Sequence, residues 1–156
     1  MFFTGLVVGV ILTAVAVLVF MPKLMVPVHE SKLSVDETVA TLEKSALDAG
    51  WLVPKTYNIQ ATLAKNGHPD MSELKILSIC QPDHAYNILT HNDKDKLVSG
   101  IMPCRIAVYK GQEDGKTYIA EMNMGLMSKM FGGNIAKVMA VVAAQEKAMV
   151  EPLIKK

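Results

Sequence analysis

Cysteine is scarce in this chain: Cys80 and Cys104 are its only two, too few for the dense cross-linking on which small secreted scaffolds depend. No Cys-x-x-Cys, His-Glu-x-x-His, Gly-x-Gly-x-x-Gly or P-loop spacing occurs, which counts against the commonest redox, zinc-protease and nucleotide-binding classes. Cys-x-x-Cys-His is missing as well, so covalent c-type haem is excluded. The formal net charge is +1 and no run of five or more like charges appears. Nucleic acid or a polybasic lipid contact would need a larger basic footprint. Lys and Arg are absent before residue 23, and this last absence bears on how the chain begins.

Phe2 to Met21 is built from Val, Leu, Ile, Phe, Ala and Gly with no charged residue. About 20 apolar residues at about 1.5 Å each match a hydrocarbon core of roughly 30 Å. A helix satisfies its own backbone in lipid, and Thr4 and Thr13 can bond back to the preceding turn. A cleaved signal peptide would want a basic start and a small-x-small cleavage site. Val19-Phe20-Met21 offers neither, so residues 2–21 are expected to form an uncleaved transmembrane anchor. Gly5 and Gly9 form a GxxxG, a weak helix-packing signal. Pro22 and Lys23 mark the exit into the interface. Lys23 and Lys32 on that side lean toward a cytoplasmic domain under the positive-inside rule, on only two charges.

Residues 22–33 read as a linker running into an edge strand, since Pro27 suits an edge. Residues 34–156 form the expected soluble domain, long enough for one core and not two. Ser34 and Glu37 make a capping box ahead of Val35, Val39, Leu42 and Ala46 at helical spacing, and Gly50 supplies the stop. Trp51 to Tyr57 suits an edge strand, Ile59 to Lys65 a short helix, and Leu74 to Cys80 a buried strand. Pro82 opens a helix through Leu89, and Asn92 to Lys96 reads as a polar loop. Ile101 to Lys110 and Lys116 to Met124 are two strands joined by a five-residue hairpin loop, Gly111 to Gly115. Asn134 to Ile154 is expected as a long final helix, with Lys155 and Lys156 at its negative pole. The fold class that follows is α+β: an antiparallel-rich sheet of four to five strands packed with helices.

With those elements placed, the chain resembles the prokaryotic family known as Domain of Unknown Function 302, from about Glu37 to about Ile154. The residues that carry the likeness are Glu37-Thr38-Val39 with Gly50-Trp51, Cys80-Gln81-Pro82 with Ala85-Tyr86, and Met102-Pro103-Cys104-Arg105. Met122-Asn123, Gly125-Leu126-Met127 and Met130-Phe131-Gly132-Gly133 complete the set. The N-terminal helix resembles the membrane-anchored branch. Gln81 departs from the family's usual Asn, and Met124 from a frequent Thr in that branch. The resemblance implies a compact α+β fold and self-association as a homodimer. It brings no established activity.

Cys80 ends one strand and Cys104 begins another, each near a proline, so the two thiols could meet in one crevice. A reversible disulfide or soft-metal ligation would follow, with Arg105 a candidate to hold a thiolate ionised. The plainer account is a buried small hydrophobe at each position. Met122, Met124, Met127 and Met130, with Met102 nearby if the strands pair, are soft ligands suited to Cu(I) or an axial haem position. Methionine filling gaps in a core is the plainer account there, and the spacing suggests a turn between strand and helix. Of the four histidines, only His84 falls within reach of Cys80; His29, His68 and His91 are scattered. No Ser/His/Asp set can be assembled, and Glu121, Glu73 and Asp83 do not stand out by position, so no catalytic constellation is legible.

Three functions remain open on these residues. The first is a membrane-tethered accessory or ligand-binding protein with a pocket around Cys80, Cys104 and the methionine turn. The second is a thiol-disulfide or sulfur-handling redox protein using the two cysteines, and the third a Cu(I) or haem carrier using Cys, Met and His84. The expected partners are the membrane and a second copy of the chain, with no nucleic acid.

Overall fold

The computed structural model describes the backbone of residues 2–156 and the side chains from Gly5 onward. Helix α1 spans Phe2–Met25 and its apolar side chains are exposed. It is long and apolar enough to cross a membrane. Thr13 donates to the Gly9 carbonyl at 2.8 Å, the back-bond expected of a hydroxyl in such a helix; the same expectation for Thr4 lies outside the described side chains. The helix runs through Pro22 to Met25 instead of stopping at Met21, and the Val26 amide still donates to the Pro22 carbonyl at 3.1 Å.

Five strands follow: β1 (Val28–Glu30), β2 (Leu52–Asn58), β3 (Leu74–Cys80), β4 (Cys104–Lys110) and β5 (Thr117–Glu121). They form one antiparallel sheet in the order β1-β5-β4-β3-β2. The two strands that carry or follow a proline, β1 and β2, take the edges, where a missing N–H costs no ladder bond. Between the strands lie α2 (Val35–Asp48), α3 (Ile59–Lys65) and α4 (Pro82–His91); α5 (Met124–Met130) and α6 (Gly133–Val150) come last.

Strand periodicity sorts the side chains. Leu77 and Ile79 of β3, Ile106 and Val108 of β4 and Ile119 of β5 are buried on one face. The register joins them, with Leu77 opposite Ile106 and Val108 opposite Ile119. Helix α2 lays Val35, Val39, Leu42 and Ala46 against that face, and each large apolar side chain buried there contributes about 1.5–3 kcal/mol. Its capping box is present: the Glu37 amide donates to Ser34 Oγ at 3.4 Å and the Ser34 amide to Glu37 Oε2 at 3.1 Å. Gly50 closes it at φ +76°, a left-handed conformation that favours glycine. Tyr109 and Tyr118 stack 5.6 Å apart on the opposite face.

Five elements depart from what the sequence predicts. The expected polar loop is a 3-10 helix, Asp93–Ile101, because Asn92 accepts from the Asp95 amide at 3.0 Å and caps it. The strands on either side of the hairpin are shorter, beginning at Cys104 and ending at Glu121. The methionine segment is a helix and not a turn, since Asn123 Oδ1 accepts from the Leu126 amide at 2.9 Å and starts α5. The last helix likewise ends at Val150 and gives way to a 3-10 turn, Glu151–Leu153, where Pro152 lacks a donor. Lys155 is drawn from the helix pole to Glu30, 2.6 Å away, as Ser31 and Ile154 form a bridge.

Candidate functional site

The end of the sheet where β3 finishes, β4 begins and β5 finishes carries most of the residues singled out above. Cys104 stands opposite Ile79 and Cys80 opposite Leu52, so the two cysteine Cα atoms are diagonal neighbours roughly 6 Å apart on standard strand spacings. Cys104 shares the helix-covered face with Ile106 and packs against the core; Cys80, at the last position of β3, is less enclosed and does not join that core. Both cysteines are free, at a Cα separation within the range a disulfide spans.

Neither thiol is activated. Burial, then the charges of Glu146 and Cys80, pushes Cys104 up to about 12, and burial also raises Cys80. A nucleophilic or metal-binding sulfur needs the opposite shift. Arg105 is exposed and does not offset the rise at Cys104, whose causes are burial and the neighbouring Glu146 and Cys80.

Both cysteines line a narrow apolar crevice of about 50 Å³ with Trp51, His84, Met102 and Met124. His84 is fixed there by Gln145 of α6, 3.0 Å from its Nε2. Trp51 Nε1 is buried without a hydrogen-bond partner. A second space of about 160 Å³ adjoins it, lined by Met102, Cys104, Arg105, Met122, Met124 and Glu146. The methionines therefore divide. Met102, Met122 and Met124 face these spaces; Met127 packs in the core and Met130 is exposed. His68 and His91 line neither; His91 pairs with Asp95 at 2.8 Å. Among the described residues, no group of three or more His, Cys, Asp or Glu could hold a metal ion.

Beyond Met122 and Met124 the same side of the sheet opens into a cavity of about 390 Å³. That volume falls within the range of small-molecule sites, roughly 300–1,000 Å³, and the cysteine crevice falls far below it. Its distinctive residues are two acids. Glu121 pairs with Ile106 in the register and so faces the helix layer, and Glu146 occupies α6 between Val142 and Met149 with 3 % of its surface exposed. No donor reaches the buried Glu121 Oε2. Burial raises Glu121 to about 7; burial and then the charge of Glu121 raise Glu146 to about 8. Ordinary carboxyls titrate near 4, and an unpaired carboxylate held out of water is costly. His29, opposite Ile119, lies on the same face.

The sequence reading passed over Glu121 and did not single out Glu146. A signal existed for the latter: Ile135, Val138, Met139, Val142, Glu146, Met149 and Val150 follow one helical stripe, and Glu146 is its only charged member. Nothing local in the sequence brings Glu121 to it. The rim of the cavity includes Pro27, two residues past α1. Asn123 ties that point down, its amide donating to the Met25 carbonyl at 2.8 Å and its Nδ2 to the Leu24 carbonyl at 2.9 Å.

Residues 28–154 match the family model described as Domain of unknown function DUF302. Among curated proteins, none matches this chain. A solved structure, the crystal structure of uncharacterized conserved protein DUF302 from Bacillus stearothermophilus, is similar at a TM-score of 0.71 and 22 % identity. The match covers 83 % of this chain and 98 % of that one, and at that identity it speaks for the fold alone.

Proposed function

The chain belongs to the family described as Domain of unknown function DUF302, and on that premise we propose that it is a membrane-tethered binding protein of the family's anchored branch. In this reading α1 is the tether and the remainder is the binding domain. The ligand seats at the end of the sheet, with the methionines as wall and the Glu121–Glu146 cavity as main chamber. One observation carries the reading: a cavity of about 390 Å³ opens beside Pro27, where α1 ends. A ligand there would be presented at the membrane surface.

Binding is favoured over thiol chemistry because burial raises both thiols, and a protonated sulfur is a weak nucleophile. Cu(I) or haem carriage would draw on the thioethers of Met102, Met122 and Met124 with a Cys104 thiol that resists ionisation, whereas the larger cavity beside them is lined by two carboxyls, hard ligands that a soft metal does not select.

Two measurements test the proposal on the full chain. Carbonate-washed membranes should retain the protein, and its release into the supernatant would sink the tether. Methyl spectra in micelles, recorded with a panel of small fragments, should move at Met122, Met124 and Val150 while Val39 and Leu42 stay fixed. Shifts confined to other parts of the molecule would remove the cavity from consideration.

A further inference from the structure

We propose that the Glu121–Glu146 cavity binds a small organic cation, a primary ammonium or guanidinium carried on a short apolar body. This deepens the binding-protein reading and rests on it. Glu121 Oε2 is buried with no donor. Glu146, 3 % exposed, owes its perturbation to burial and to Glu121, with no hydrogen bond contributing. Buried polar groups in folded proteins are nearly always paired, so each exception asks for a partner. What both carboxyls lack is an N–H donor, and a charge-assisted N–H is the strongest kind available to them.

The rest of the lining narrows the class. Met122, Met124, Ala143, Val150 and Ile154 supply apolar surface around the two acids, which suits an alkyl or aryl body. A bare metal ion would leave most of about 390 Å³ unfilled, and the described residues offer no group of three or more His, Cys, Asp or Glu that could hold one. An anion would meet two acids. Lys147 is exposed whereas Glu146 is buried, so the enclosed charge-bearing groups of the cavity are the acids.

Cation binding exchanges charge with solvent in a balanced way. The ammonium keeps its protons, each carboxyl it contacts loses the proton held there at neutral pH, and those protons pass to buffer. The other titratable or charged groups facing the acids are His29 from β1, Cys104 and Arg105 from β4, and Lys147 and Glu151 from α6 and the turn after it; Arg105 keeps its charge throughout this pH range. Met122–Gly125 of the α5 start add none. Affinity should therefore rise as pH increases from 6 to about 8.5, because fewer protons then need displacing.

The experiment is titration calorimetry on the full chain in micelles, run in two buffers of different ionisation enthalpy. The probes are n-butylammonium chloride, 1-butanol and zinc chloride. Expected are saturable binding of n-butylammonium with proton release at pH 7, and a loss of about tenfold or more in affinity for both E146Q and E121Q, the usual worth of a charged hydrogen bond. Butanol should bind more weakly and ignore both substitutions. Equal binding of n-butylammonium and butanol, unaffected by E146Q and E121Q, would overturn the cation while leaving a binding cavity. Binding of zinc alone at these residues would overturn it in favour of a metal. If none of the three binds, the cavity reading and the cation both fall. Two substitutions on different elements, a strand and a helix, guard against one variant failing to fold.

Discussion

The cysteine crevice and the carboxylate cavity lie on one side of one sheet and share Met124 as a wall, yet they treat buried ionisable groups in opposite ways. Around Cys104 the chain fills the space with its own side chains, and about 50 Å³ is left. A protonated thiol there behaves as a small hydrophobe and costs little. Around Glu121 and Glu146 the chain leaves about 390 Å³ and gives Glu121 Oε2 no donor. A carboxyl in such a place is expensive in either protonation state, since even the neutral acid wants partners. Burial is the main cause of the raised pKa in both regions, but only the second combines it with open volume and unmet hydrogen bonds, the combination that marks a site.

The sharpest way to break the comparison is the pH dependence of stability. Glu146 lies near 8 in the folded chain against an ordinary value of 4.5, and Glu121 near 7. A folded pKa raised above the unfolded one gives stability that is full below about 4.5 and is lost as pH climbs through the folded value. Denaturant unfolding should thus show stability falling between about pH 5 and pH 8.5, by a few kcal/mol from Glu146 at about 1.4 kcal/mol per pKa unit. E146Q should flatten most of that fall. A wild-type profile level over this range would mean that the two acids are hydrated and that the cavity resembles ordinary surface.

Much of this fold was legible because its causes are local. The box of Ser34 and Glu37 sets the start of α2 within four residues, and Gly50 its stop; the prolines at 27 and 54 identify both edges before any pairing is known. The run Leu74 to Cys80 appears as β3 with the bounds its apolar residues suggest. Less of the site was legible. Its acids sit in β5 and α6 and meet only through the tertiary packing of those elements, which periodicity does not encode. The methionine segment misled because its spacing looks irregular, while the deciding residue, Asn123, precedes it and acts as a cap. The cysteines came together as neighbours across β3 and β4, but the one-residue offset that leaves only Cys104 packed against the core depends on register.

Substitutions at the two cysteines probe the packed region. Cys104→Ser places a hydroxyl among core side chains in place of a thiol, and stability should fall by about 1–3 kcal/mol, the penalty for a buried polar group without a full set of partners. The fall should be the same at pH 5.5 and pH 8.5, unlike that seen with Glu146. A control far from both regions calibrates the scale. Ser34→Ala removes the N-cap of α2 and should cost about 1 kcal/mol at either pH. A pH-dependent loss at Ser34 would show that the pH effect is global and not seated in the cavity.

The smallest effect expected is at Cys80, and it separates position from burial. Cys80 is a strand neighbour of Cys104 and lines the same crevice, yet only Cys104 packs against the core. Cys80→Ser should therefore change stability by less than about 0.5 kcal/mol, as for substitutions outside core packing. Alkylation gives a second reading of the same difference. Burial raises both thiols, Cys104 up to about 12 and Cys80 in the same direction, so both should react more slowly than a free thiol, with Cys104 the slower of the two. Quantitative labelling of the native chain followed by mass spectrometry would order them. Equal rates with equal losses on substitution would place the two sulfurs in one environment, restoring the thiol pair as a unit and removing the asymmetry on which the crevice and the cavity are told apart.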